Sequence, residues 1–270
     1  MMRAMEPLPQ LGVSVFEAEH PEAAALVKAL LRPGEKIKLI TTGWRSWFVD
    51  DVFLGAPTLL ANRHLIVGTS DRLLLIHTSR TGLRPQGYLE EVPRSCILGS
   101  LGTPLHSIFT TGGTRRFVGV PFSGKRALSF PHDPDRPPTG RPRSLCPGCF
   151  TPQEDDATGC ASCGTAFKTP AAAAWRSLVL PGWGDAWLDS RVVGAMTFAV
   201  TAFLWLNVAA FLRAAGSAPD QETVARLTTS FLLAAGMAHL ISATASAARA
   251  GHGLRARSGG LGSKVQRTPE

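Results

Sequence analysis

The sequence predicts a multi-domain chain in three parts: an antiparallel β domain, a small four-cysteine metal module and an α-helical transmembrane hairpin. Three observations carry this. Seven short β-branched and apolar runs, separated by Gly, Pro, Asn, Asp and Ser, lie between residues 35 and 123. Two Cys-x-x-Cys pairs follow at residues 146–149 and 160–163. Two stretches of 21 and 22 residues without Asp, Glu, Lys or Arg then run over Val192–Leu212 and Leu227–Ala248.

Composition sets the outer bounds. A chain of 270 residues at 44% hydrophobic content is not globally disordered, and 27 Gly with 20 Pro in no repeat exclude collagen. The net charge of +8 divides into +4 over residues 1–140, zero over 141–174 and +4 over 175–270. Residues 1–20 carry Glu6, Pro7, Pro9, Glu17 and Glu19 in place of a basic and then apolar leader, so they read as a flexible N-terminus without a cleavable signal. Four of the five cysteines are paired at metal-ligand spacing, which suits a reducing compartment and places the soluble part in the cytoplasm. The fifth, Cys96, reads as a small buried apolar residue.

The β domain is expected over residues 21–130. Pro21–Leu31 is a short helix, with Pro in its first turn and a break at Arg32-Pro33-Gly34. The strand runs are Ile37–Thr42, Leu59–Val67, Arg72–Thr78, Gly87–Val92, Cys96–Leu101, Leu105–Thr111 and Arg116–Val120. Gly68-Thr69-Ser70-Asp71 and Thr111-Gly112-Gly113-Thr114 supply hairpin turns. The stretch ANRHLIVGTSDRLLLIH, with YLEEVPRSCI after it, resembles the bacterial pleckstrin-homology-like domains over roughly residues 30–125. Thr69, Asp71, Arg72, Leu73 and Leu74 match the family's strand start. The resemblance implies a barrel or sandwich that binds a protein partner or a lipid headgroup. That family closes its barrel with a C-terminal helix. Here Ser123–Phe130 is short and runs into prolines, so either the helix at 21–31 takes that place or the barrel stays open.

Residues 131–144 hold five prolines and read as an extended linker. His132, Asp133 and Asp135 within it are solvated polar residues, because a flexible segment does not hold ligand geometry. At residues 145–168, Cys146-Pro-Gly-Cys149 and Cys160-Ala-Ser-Cys163 place two thiolate knuckles ten residues apart, the donor set that Zn²⁺ accepts at ~2.3 Å. This stretch is similar to the zinc-ribbon family. Gly148 and Gly164 stand where turns are needed. A thioredoxin-like dithiol would need a βαβ setting that is missing here. Four thiolates close the coordination sphere, so the zinc is expected to be structural. Between Cys146 and Cys163 there is no Lys or Arg, and Glu154, Asp155 and Asp156 lie in the loop, which argues against nucleic acid.

The membrane part begins with residues 171–190, an interfacial or shallowly re-entrant helix ended by Pro181-Gly182, with Trp175, Trp183 and Trp187 suited to the headgroup zone. SLVLPGWGDAWLDSR resembles the Leu-Pro-Gly-x-Gly-Gln-x-Tyr start of a family of small two-helix membrane domains. Leu180, Pro181, Gly182 and Gly184 match, while Asp185 replaces the Gln and Trp187 the Tyr. Two spans fill residues 191–249. Arg249 ends the second span, and Arg255, Arg257, Lys264 and Arg267 make 250–270 a basic, disordered tail, so both termini are expected in the cytoplasm of a multi-pass protein of the inner (plasma) membrane. Asn207 and His239 are intramembrane polar residues. Their depths differ by ~10 Å, so interhelical hydrogen bonding elsewhere, not mutual pairing, is the expectation for each.

The expected function is that of a non-enzymatic membrane-anchored adaptor or scaffold. It would present a cytoplasmic pleckstrin-homology-like domain and a structural zinc ribbon at the inner membrane face. The alternative is a small membrane enzyme or transporter subunit using Asp185, Asp189 and His239, or His64, His77 and His106. No phosphate loop, nucleophile elbow or His-Glu-x-x-His motif accompanies either set. A nucleic-acid-binding regulator is third.

Overall fold

The computed structural model describes residues 11–46, 63–78, 83–103, 105–121, 124, 128, 137–154, 156–215, 221–251 and 253–257. The chain divides into two compact units, one from Met1–Phe167 with Gly253–Glu270 and one from Lys168–His252.

The first unit opens with helices α1 (Leu11–Glu19) and α2 (Pro21–Leu30). Among the described residues, nine strands follow: β1 (Ile37–Ser46), β2 (Arg63–Thr69), β3 (Arg72–Thr78), β4 (Pro85–Pro93), β5 (Ile97–Thr103), β6 (Leu105–Thr110), β7 (Gly113–Val118), β8 (Arg143–Leu145) and β9 (Pro152–Gln153). All join in one antiparallel sheet of order β5-β6-β7-β1-β2-β3-β4-β8-β9. Each of the seven sequence runs thus holds a strand. The two predicted turns fall between β2 and β3 and between β6 and β7.

Both faces of the central strands are covered. Leu65, Val67, Leu74, Ile76 and Leu89 pack under Ala23, Leu26, Val27 and Leu30 of α2, and Ile66, Leu73, Leu75, Val92, Ile108, Phe117 and Leu128 form a second cluster. Every residue of β3 is buried as a result. The sheet must curl strongly to make the second cluster. On a flat sheet β4 would lie ~14 Å from β1 and ~19 Å from β7. Yet the Glu90 carboxylate on β4 pairs with Arg45 of β1 at 2.7 Å and with Arg115 of β7 at 2.5 Å. Burial alone would raise the Glu90 pKa, and these two guanidinium groups outweigh it and hold it low.

The residues that carry the strand-start resemblance build a hairpin lock. Thr69 Oγ1 accepts from the Asp71 and Arg72 amides and donates to Glu35 at 2.6 Å. Arg72 then bridges Glu35 at 2.8 Å and Glu91 at 2.5 Å, all with side chains almost wholly buried.

Three stretches depart from the sequence reading. The N-terminus read as flexible over 1–20 is helical over Leu11–Glu19, because Phe16 packs against the core under α2 and Glu17 pairs with Lys28 at 3.1 Å. The linker read over 131–144 is pinned where it is described. Thr139 and Ser95 exchange two hydrogen bonds, Thr111 donates to the Gly140 carbonyl, and β8 starts at Arg143, immediately past the last proline. The tail read as disordered over 250–270 is ordered at residues 253–257, where Ala256 bridges Phe167. His132, Asp133, Asp135, Lys264 and Arg267 lie outside the described residues.

The second unit is helical: α3 (Pro170–Val179), α4 (Trp183–Trp187), α5 (Arg191–Ala214) and α6 (Gln221–Ala250). Thr169 caps α3 by accepting from the Ala172 amide, and Pro170 opens its first turn. At Gly182, φ is 86° and an added Cβ would lie 2.1 Å from the Gly194 carbonyl oxygen, so only glycine lets α4 turn back this close to α5. Helices α5 and α6 are long and apolar enough to cross a membrane.

Candidate metal centre

The sheet delivers the first knuckle directly. Leu145 pairs with Leu89 at the end of β8, and Cys146 is the next residue. The Cys146 amide donates to the Thr151 carbonyl and the Phe150 amide to the Cys146 carbonyl, both at 2.9 Å. The second knuckle repeats this exactly in kind: the Cys160 amide donates to Thr165 and the Gly164 amide to Cys160, again at 2.9 Å. Phe150 and Gly164 occupy the same place in each loop with φ of 63° and 70°. Gly148 lies within the turn of the first knuckle, as expected, and the left-handed position that closes each loop is taken by Phe150 in the first and by Gly164 in the second.

The four sulfurs lie within 4.8 Å of one another, with Cys146 to Cys163 at 3.7 Å and Cys149 to Cys160 at 3.6 Å. A tetrahedron with ~2.3 Å metal–sulfur bonds has edges of about 3.8 Å. None of these cysteines is in a disulfide. The set therefore fits a metal ion such as zinc, and its four donors leave no coordination position for a substrate.

Two residues that the sequence reading passed over complete the site. Thr151 Oγ1 lies 3.2 Å from Cys149 Sγ and Thr165 Oγ1 lies 3.0 Å from Cys163 Sγ. The repeat Cys-x-x-Cys-x-Thr, present in both knuckles, is the pattern that marks them. Without metal, burial pushes the Cys146 thiol up despite the Gly148 amide, and burial also raises Cys149. At Cys163 burial again raises the pKa, but hydrogen bonds led by the Thr165 hydroxyl bring it down to about 6.

The centre also holds the returning chain. Phe167 and Leu254 are buried against Cys146 and Cys160. The Arg257 amide and Nε donate to the Ala166 and Phe167 carbonyls at 2.9 Å. Gly253 packs so closely on the Tyr88 ring that an added Cβ would sit 2.4 Å from it, and the Arg255 guanidinium lies 5.1 Å from the ring centroid.

The other candidates are placed as follows among the described residues. His64 and His77 face each other across β2 and β3, with rings 5.4 Å apart, but both are buried. His64 hydrogen-bonds Tyr88 at 2.8 Å, and His77 stacks on Tyr88 and donates from Nδ1 to the Gln86 carbonyl at 3.1 Å. His106 is buried on β6, opposite Phe117. Cys96 is wholly buried, and burial raises its thiol pKa.

In the helical unit, Asp185 is buried against Arg249 and Ser246. Asp189 pairs with Lys168 at 2.8 Å. His239 lies ~10 Å before Ser246 along α6. It accepts at Nε2 from Trp205 at 3.1 Å and donates from Nδ1 to the Leu178 carbonyl at 2.7 Å. Asn207 donates to Phe203 within its own helix at 2.8 Å, so the two polar residues do not meet. Comparison with known proteins returns no match to a family, a curated protein or a solved structure.

Proposed function

We propose that the chain is a membrane-anchored adaptor. It holds a pleckstrin-homology-like β domain, braced by a structural zinc ribbon, at the cytoplasmic face of the inner (plasma) membrane. The observation that carries this reading is the inverted polarity of the helical unit. On α5, Met196, Phe198, Phe203 and Leu206 are exposed while the buried residues are Val193, Gly194, Thr201 and Val208. On α6, Leu232, Leu233, Met237 and Leu240 are exposed while Thr228, Ser242, Ser246 and Arg249 are buried. Water would drive the opposite arrangement, whereas hydrocarbon accepts apolar side chains and sends polar ones inward.

Helices of 24 and 30 residues reach ~36 and ~45 Å, enough for the ~30 Å core. The chain leaves the first unit at Phe167 and re-enters it at Gly253, which supports two crossings with both termini on one side. The curled antiparallel sheet with α2 on one face supports the pleckstrin-homology-like reading, and the sulfur spacing supports zinc. An adaptor is favoured over an enzyme because His64, His77, Asp185 and His239 are each engaged in packing or hydrogen bonds within the fold. The proposed partners are the bilayer and a protein or lipid headgroup bound by the β domain. Nucleic acid is not among them.

The topology is tested with alkaline phosphatase fusions of the full chain. Activity is expected only for an insertion in the loop between α5 and α6, and activity at the C-terminus contradicts it.

A further inference from the structure

We propose that α3 and α4 form a re-entrant hairpin, whose outer face is solvated by the acyl chains of the leaflet through which the chain enters and whose tip reaches near the bilayer midplane. This inference rests on the membrane reading above and sharpens it.

Depth is set by His239. This residue stands eleven positions before the end of α6, or ~16 Å, and its partner Trp205 stands fourteen positions after the start of α5, or ~21 Å. The Leu178 carbonyl that His239 binds is therefore about half a hydrocarbon core away from the helix ends. From Ala173, which clusters with Ala250, α3 rises five residues or ~7.5 Å to Leu178, and beyond it the Gly182 amide reaches Ser242, eight positions or ~12 Å before the end of α6.

The outer face is apolar throughout. Trp175, Leu178, Val179, Leu180 and Trp183 are exposed, whereas Ala173, Ser177, Gly184 and Asp185 are buried. An amphipathic helix lying on the surface would turn charge outward. The one cation on α3, Arg176, instead lays its guanidinium 4.1 Å from the Trp187 ring centroid, back toward the entry end.

A chain reversal at this depth must have its backbone groups met by protein. Leu178 O accepts from His239, the Gly182 amide donates to Ser242 Oγ at 3.0 Å, and the Gly184 amide donates to Ser177 Oγ at 3.0 Å. Ser242 of α6 and Ser177 of α3 are thus placed where a broken helix needs acceptors.

The test uses nitroxide labels on the full, zinc-loaded chain in phosphatidylcholine–phosphatidylglycerol vesicles, with the unsubstituted chain as the labelling control. Labels at Leu180→Cys and Val179→Cys are compared with Phe203→Cys and Val192→Cys on α5. Both labels at the hairpin tip are expected to collide readily with oxygen and several-fold less with a nickel chelate than Val192, matching Phe203. Nickel access equal to that at Val192, or shielding from both reagents by another copy of the chain, overturns the inference while Phe203 remains deep. Nickel access at Phe203 itself overturns the membrane reading, and the inference with it.

Discussion

Phe167 and Ala256 face each other across one antiparallel bridge although they stand 89 positions apart in the sequence. The point where the chain leaves the four-cysteine module and the point to which it returns are therefore neighbours. Leu254 is buried on the same cysteines, which makes the segment after α6 part of the metal module.

Metal removal should release that segment. A four-cysteine module this small owes most of its folding energy to its ion. In the metal-loaded chain Arg255 is buried and should resist trypsin, whereas after chelation cleavage there should become rapid. The protease time course, read by mass spectrometry, checks this, and unchanged protection after verified zinc loss contradicts the clip.

The two threonines should tune the metal. Replacing Thr151 or Thr165 with Val removes a hydroxyl next to Cys149 or Cys163 without changing the sulfur ligands. Outer-shell losses of this kind cost about 10-fold or more in metal affinity. Competition with a chromogenic chelator measures it, and equal affinity in wild type and both variants refutes the role.

Glu35 should make the β domain acid-sensitive. Burial opposes its ionisation, but Arg72, the Arg32 amide and Thr69 bring its pKa to about 2. The depressed value means stability that is fully present above the unfolded pKa near 4.3 and lost as pH falls toward 2. Arg72→Ala strands two buried carboxylates and should destabilise by about 3–5 kcal/mol. Denaturant unfolding across pH 2–6 checks both, and a Glu35→Gln variant should flatten the acid limb.

Asp185 and Arg249 should be coupled. Asp185→Ala leaves Arg249 buried beside Ser246 without its counter-charge, a loss of about 3–5 kcal/mol. Asp185→Ala with Arg249→Leu should recover part of that loss. Thermal unfolding in detergent reads the cycle, and additive losses from the two changes contradict a direct pair.

Local chemistry made much of this legible in sequence. The β3 run Arg72–Thr78 matches its strand to the residue, with Gly68-Thr69-Ser70-Asp71 turning the chain just before it, and the cysteine spacing names the four residues whose sulfurs cluster. Long-range pairing was not legible. Nothing in Gly253-Leu254-Arg255-Ala256 has strand or helix periodicity, so its return to Phe167 is a product of packing alone. The curl that brings Glu90 to Arg45 and Arg115 likewise depends on strand order, which alternation does not encode. AAAAWRSLVL suits a surface or a re-entrant helix equally, and the hydrogen bond between His239 and the Leu178 carbonyl, on which the proposed depth rests, is not encoded in it.

The most direct test of the central claim is fractionation of carbonate-washed membranes from cells expressing the full chain, with zinc assayed in each fraction. The account predicts that the protein stays with the membrane pellet and carries one zinc per chain. Recovery of the protein in the carbonate-soluble fraction would contradict it.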